Sequence, residues 1–248
     1  SYLGGTQYMA AAMQSPHLKA IIPAVAPADL YAFCYAGGIY RSDFLQQWTS
    51  LTVSLDSQPV AAPVDDDAGG ALRDEAVEVH GQNRRSDDQY RALPHRDSVD
   101  AQLGIEMWTA TSPVHHAEAI SGSGVAVYHL AGWMDIFPRD ALVLYANLEG
   151  TPQRLAMGPW FHQQRHEFDD MGEHLRWFDK YLKGIDNGID REPPIHYYVM
   201  NAPKETAWRS SHTWPLENET RRTMHFHGGA DDASDNVLSA AEPPARST

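Results

Sequence analysis

Three scarcities narrow what this sequence can be. Its 248 residues include one cysteine, Cys34, so no disulfide can close within the chain and no zinc site can be built from cysteines. Basic residues are few: 19 Lys and Arg stand against 33 Asp and Glu, and a formal charge of −14 is the wrong sign for a general nucleic-acid surface. No run approaches the roughly 18 consecutive apolar residues of a membrane-spanning helix. Aromatic side chains, in contrast, are plentiful. Seven Trp and 11 Tyr within a 42% hydrophobic composition are unlike a disordered chain and suffice for a sizeable core. The length suits one large domain or two smaller ones. Neither nucleic acid nor membrane is therefore an expected partner.

The hydrophobic pattern comes in blocks. Residues 1–13 mix small residues (Gly4, Gly5, Ala10, Ala11, Ala12) with Leu3, Tyr8 and Met9, which predicts a helix lying close against a sheet. The run Leu18–Pro23 follows as a short buried strand stopped by proline. Val125–Leu130 and Arg154–Met157 are further apolar strands, followed by helices over Pro138–Leu148 and His166–Lys183. In the last helix Leu175, Phe178, Tyr181 and Leu182 share a face, and Gly184 is its C-cap. Tandem strand–loop–helix units predict an α/β fold with a parallel sheet.

Between these blocks the texture changes. Asp29–Leu51 is aromatic-rich, and Asp56–Asp100 is polar, with exposed helices over Leu72–His80 and Ser86–Leu93. Asp65–Asp67 reads as a solvated loop, because the oxygen-ligand spacing of a calcium loop is absent. After Pro193-Pro194, short segments such as Ile195–Met200 and Met224–Phe226 predict an all-β module.

In open parallel sheets, functional residues sit just past the carboxyl ends of strands. Asp135 and His162 hold such positions in Gly132-Trp133-Met134-Asp135 and Gly158-Pro159-Trp160-Phe161-His162, and Ser1 precedes the small-residue helix. The order Ser…Asp…His is that of the α/β-hydrolase triad. Serine needs an imidazole to take its proton, and the imidazole needs a carboxylate to hold its tautomer. Each has a plainer alternative: Ser1 or Asp135 as a helix cap, Asp140 in place of Asp135, and His166 or His174 in place of His162. The pair His162-x-x-x-His166 has zinc spacing, yet Gln163 stands where a zinc protease keeps its glutamate. No metal or cofactor is expected.

These segments, with Ala28-Asp29-Leu30-Tyr31 and Trp177–Gly184, resemble the cocaine esterase / X-Pro dipeptidyl-peptidase hydrolases, in family order from Ser1 to about Pro215. The resemblance implies an α/β-hydrolase core over residues 1–28 and 120–190. It implies a helical cap over 29–119 and the start of a C-terminal β jelly-roll over 191–248. It makes Ser1 the nucleophile of a Gly-x-Ser-Tyr-x-Gly elbow, Asp135 the triad acid, His162 the base, and the Tyr2 N–H an oxyanion donor. Trp48 and Phe137 match aromatic positions lining the family's acyl site, and Tyr35 stands where the esterase has tryptophan. The elbow's first residues, the preceding strands and the second oxyanion donor are then expected outside these residues, and the isolated polypeptide is expected to be unstable and inactive. Oligomers are common in the family, which leaves a homo-oligomer open.

The reaction so implied is acyl-enzyme hydrolysis of a small ester, amide or short peptide. Two other readings compete: an N-terminal-nucleophile acylase using Ser1 and its own α-amine, and a non-catalytic β-rich binding protein. The first leaves Asp135 and His162 unused, and the second makes the Ser…Asp…His order a coincidence.

Overall fold

The computed structural model describes residues 2–57, 62–162, 164–227 and 237–242. They fall into two compact units, Ser1–Ser210 and Ser211–Thr248. In the first unit, α1 (Tyr2–Ala12) leads into β1 (Ala20–Ile21). An insert follows: α2 (Leu30–Cys34), the hairpin β2 (Tyr35–Ala36) and β3 (Ile39–Tyr40), α3 (Ser42–Asp56), α4 (Ala71–His80) and α5 (Ser86–Arg91). The hairpin β4 (Val99–Asp100) and β5 (Ile105–Glu106), α6 (Met107–Thr111), a 3-10 turn over Pro113–His116 and α7 (Ala117–Gly122) complete it. The chain then returns to the sheet through β6 (Ala126–Gly132), α8 (Pro138–Asn147), β7 (Gln153–Gly158), α9 (Asp170–Lys183), β8 (Ile195–Tyr198), α10 (Lys204–Ala207) and β9 (Trp208–Ser211). The second unit contains β10 (His225–His227) paired antiparallel with β11 (Val237–Ser239).

The sheet runs β1-β6-β7-β8-β9, with β1, β6, β7 and β8 paired in parallel. All seven residues of β6 are buried, as a strand covered on both faces requires. Alternation along it divides the core. Val127 joins Tyr8 and Ala11 of α1 and Leu144 of α8. Ala126, Tyr128 and Leu130 face Trp177 of α9 and Trp160. Helix α1 can lie this close because Gly4 has no side chain: a Cβ there would come within 2.7 Å of the Ala24 carbonyl oxygen.

Two buried polar side chains find hydrogen-bond partners inside this core. His129 bonds Tyr8 Oη through Nδ1 at 2.5 Å and Gln153 Oε1 through Nε2 at 3.0 Å, and burial lowers its pKa to about 4. A neutral ring with its proton on Nε2 satisfies both partners at once. Arg154 of β7, also buried, donates to the Ile189 carbonyl, Glu192 and His196, tying the segment after α9 to the sheet.

Several expectations change. Strand β8 pairs parallel and in register with β7, Leu155 opposite Ile195, and β9 lies beside β8. The segment from 191 therefore belongs to this sheet, and the first compact unit runs to Ser210, past the expected boundary at 191. Helix α9 begins at Asp170, not His166, because the Asp169 side chain caps it by accepting from the Gly172 N–H. Its inward face carries Trp177, Phe178 and Tyr181, whereas Leu175 and Leu182 are exposed. Asp67 is not a solvated loop residue: buried, it accepts from the N–H groups of Leu72 and Arg73, and these bonds lower its pKa. The two insert hairpins have no counterpart in the sequence reading.

Candidate active site

The carboxyl ends of β6 and β7 lie side by side, Gly132 opposite Gly158. Both must be glycine. A Cβ on Gly158 would fall 2.0–2.3 Å from the Trp160 indole, and one on Gly132 would fall 2.2 Å from the Trp160 carbonyl oxygen. Trp160 therefore folds back over both strand ends, buried, with its Nε1–H donating to the His166 carbonyl. Two backbone bonds stitch the loops together: Trp133 N–H to the Gly158 carbonyl at 2.9 Å, and Met134 N–H to the Trp160 carbonyl at 3.1 Å.

The stitched loops bring Asp135 and His162 into contact. His162 Nδ1 lies 3.0 Å from Asp135 Oδ1, which also accepts from the Ile136 N–H. The Asp135 side chain is 1% exposed and that of His162 is 39% exposed. With its proton on Nδ1, His162 donates to the buried carboxylate and keeps Nε2 as a basic acceptor, bonded to no described residue. A shallow cleft beside the pair is lined by Val25, Gly132, Asp135, Trp160, Phe161 and Arg165. Val25, a β-branched residue at φ 52°, is strained there and donates its N–H to the Leu130 carbonyl.

Ser1 lies outside the described residues. Tyr2 opens α1, so its N–H is among the first four of a helix, which find no acceptor in their own helix. The Tyr2 ring lies 6.0 Å from Trp48, which is 36% exposed. Phe137 is buried two residues past Asp135, with its ring 4.9 Å from Phe33. Tyr35 is in the core of the insert, beside Tyr31, Tyr40 and Trp108, with its hydroxyl donating to the Tyr90 carbonyl.

The competing residues have other partners. Asp140 accepts from the Ala28 N–H at 2.7 Å, tying α8 to the end of the β1 segment, with burial raising its pKa. His174 pairs with Asp170. Among the described residues, no group of three or more His, Cys, Asp or Glu side chains is arranged to hold a metal. The glycine–tryptophan packing escaped the sequence reading, although Gly132 and Gly158 each stand at the end of an apolar run, where a tight approach leaves its mark.

Residues 1–164 match the X-Pro dipeptidyl-peptidase (S15) family. A Mycobacterium bovis protein provisionally named a serine esterase is 29% identical across 87% of this chain and 41% of its own length. Cocaine esterase from a Rhodococcus strain is 28% identical across 94% of this chain and 44% of its own. The chain thus spans less than half the length of these relatives. A crystal structure of a CocE/NonD family hydrolase from Staphylococcus aureus superposes with a TM-score of 0.69 at 18% identity, covering 97% of this chain and 37% of that one. The likeness establishes an α/β-hydrolase fold. Given a family match over 164 residues and that fold, this chain belongs to the S15 X-Pro dipeptidyl-peptidase family.

Proposed function

We propose that this protein is a serine hydrolase that cleaves an ester or amide through an acyl-enzyme. The observation carrying the proposal is the 3.0 Å pair of His162 Nδ1 with a buried Asp135 at adjoining strand ends. In this reading His162 Nε2 takes the Ser1 hydroxyl proton as Oγ attacks the substrate carbonyl. Asp135 holds the imidazole in that tautomer and stabilises the imidazolium that forms. The Tyr2 N–H at the start of α1 donates to the developing oxyanion, a group that earns its effect only in the transition state. His162 then returns the proton to the leaving group, and water enters by the same route to release the acid.

A helix starting at Tyr2 disfavours the N-terminal-nucleophile alternative, which needs Ser1 to begin a strand. The test is turnover of p-nitrophenyl acetate and butyrate by the natural full-length protein. Ser1→Ala and His162→Ala are each expected to lower kcat on the order of 10⁴-fold or more, with folding unchanged by circular dichroism. Unaltered turnover in either variant would rule the assignment out.

A further inference from the structure

Arg41 carries a charge for which the described residues supply no anion. Its guanidinium carbon lies 4.9 Å from the Phe33 ring centroid and 5.5 Å from that of Phe44, and its side chain makes no hydrogen bond or ion pair with a described residue. Other arginines of the insert have carboxylates: Arg73 with Asp74, Arg84 with Asp100, Arg85 with Asp87 and Arg96 with Asp29. Arg91 has none among the described residues but is exposed beside Tyr40, whereas Arg41 is half-buried. The nearest acid in sequence, Asp43, lies in the first turn of α3 and makes no ion pair with it.

The position of Arg41 gives this orphan charge a meaning. Phe33 touches Phe137 at 4.9 Å, just past Asp135. Phe33 packs edge-on against Phe44 at 5.3 Å, Phe44 stacks on Trp48 at 6.5 Å, and Trp48 meets Tyr2 at 6.0 Å. A continuous band of five rings therefore runs from the start of α1 to the Asp135 loop, and Arg41 lies over two of its inner members, Phe44 and Phe33. A guanidinium whose charge is met by aromatic rings, and whose N–H groups bond no described residue, has those N–H groups available for the planar, two-point grip of a carboxylate. Among the described residues no second cation lies over these two rings, and a single guanidinium suits the single charge of a carboxylate better than a phosphate dianion. Asp29, another acid of the insert, is already bound to the Ala32 N–H and Arg96.

We propose that Arg41 is a specificity residue that pairs with a carboxylate on the substrate, attached to an aromatic body whose ester or amide carbonyl reaches the Asp135–His162 pair. The proposal rests on the serine-hydrolase reading but is tested by binding alone. The ligands are 4-acetylbenzoate and 1,4-diacetylbenzene, matched ketones that cannot be hydrolysed, titrated calorimetrically into the full-length protein. The carboxylate ligand is expected to bind about tenfold more tightly than the neutral one. Arg41→Gln should erase that preference and Arg41→Lys should retain part of it. Equal affinities in the wild type, no binding of 4-acetylbenzoate, or a preference undiminished in Arg41→Gln would overturn the proposal. Absence of p-nitrophenyl ester turnover would instead count against the catalytic reading, leaving the binding ratio to decide this one.

Discussion

Strand β6 buries all seven of its residues, and helix α4 buries none. The contrast extends to the regions around them. The sheet is packed on both faces, and its strand ends are joined by backbone bonds, so Asp135 and His162 inherit their geometry from the least deformable part of the molecule. The insert is held by one small aromatic cluster around Cys34, Tyr35, Leu45, Leu93 and Trp108, with ion pairs such as Arg84–Asp100 on its polar side. Burial pushes the Cys34 thiol up to about 12, against the pull of Arg41, which leaves it an inert packing residue. The proposed proton transfer thus falls at the buried strand ends, and the proposed sorting of a substrate falls on the less buried aromatic band of the insert.

The sharpest way to break this comparison is to cut one tryptophan from each region. Trp177 packs on Tyr128 and Tyr181 beneath the sheet, and Trp108 packs on Tyr31, Tyr35 and Tyr90 in the insert. Each change to alanine is expected to cost about 3–5 kcal/mol in urea unfolding. Trp177→Ala should lower kcat, while Trp108→Ala should act mainly on KM. Equal kcat losses in both would dissolve the distinction.

His129 offers a pH test of the sheet alone. Its ring titrates near 4 in the fold and near 6.5 when unfolded, so between those values the unfolded chain binds the extra proton. Stability is therefore full above about pH 6.5 and falls by about 3 kcal/mol as pH drops to 4. Unfolding midpoints at pH 7.5 and 4.5 should show the loss, and His129→Gln should remove most of it. Gly158→Ala comes next. Its Cβ would collide with Trp160 and shift the loops carrying Asp135 and His162, lowering kcat/KM on the order of 10²-fold. The smallest effect belongs to α4: Val79→Gln, at a site 54% exposed, should move the unfolding free energy by less than about 0.5 kcal/mol.

Much of the sheet was legible because local pattern and burial coincide there. The apolar runs became β6 and β7, and Gly184 closes α9 at φ 71° as a left-handed C-cap. The glycine-rich helix was legible from residue size: Gly4, Gly5, Tyr8 and Ala11 are the buried ones. The start of α9 was missed because Asp169 competes successfully with the apolar pattern upstream. Strand β8 was assigned to the wrong module because four residues of β pattern carry no address: Ile195–Tyr198 would look the same in either sheet. The first insert hairpin left a signal that could have been read, since Gly37 and Gly38 both take positive φ (62° and 83°) between Ala36 and Ile39.

What the linear sequence decided by itself is the material of the protein: buried parallel strands, a close-packed helix after Ser1, and the chain order of Ser1, Asp135 and His162. These follow from side-chain period, size and motif order, all of which are local. Tertiary structure alone decided the relations. It brought Asp135 and His162, 27 positions apart, to 3.0 Å. It placed β8 beside β7 and left Arg41 on two rings with no carboxylate partner among the described residues. Such relations depend on which surfaces meet across the sheet and the insert, and no window of neighbouring residues contains that information.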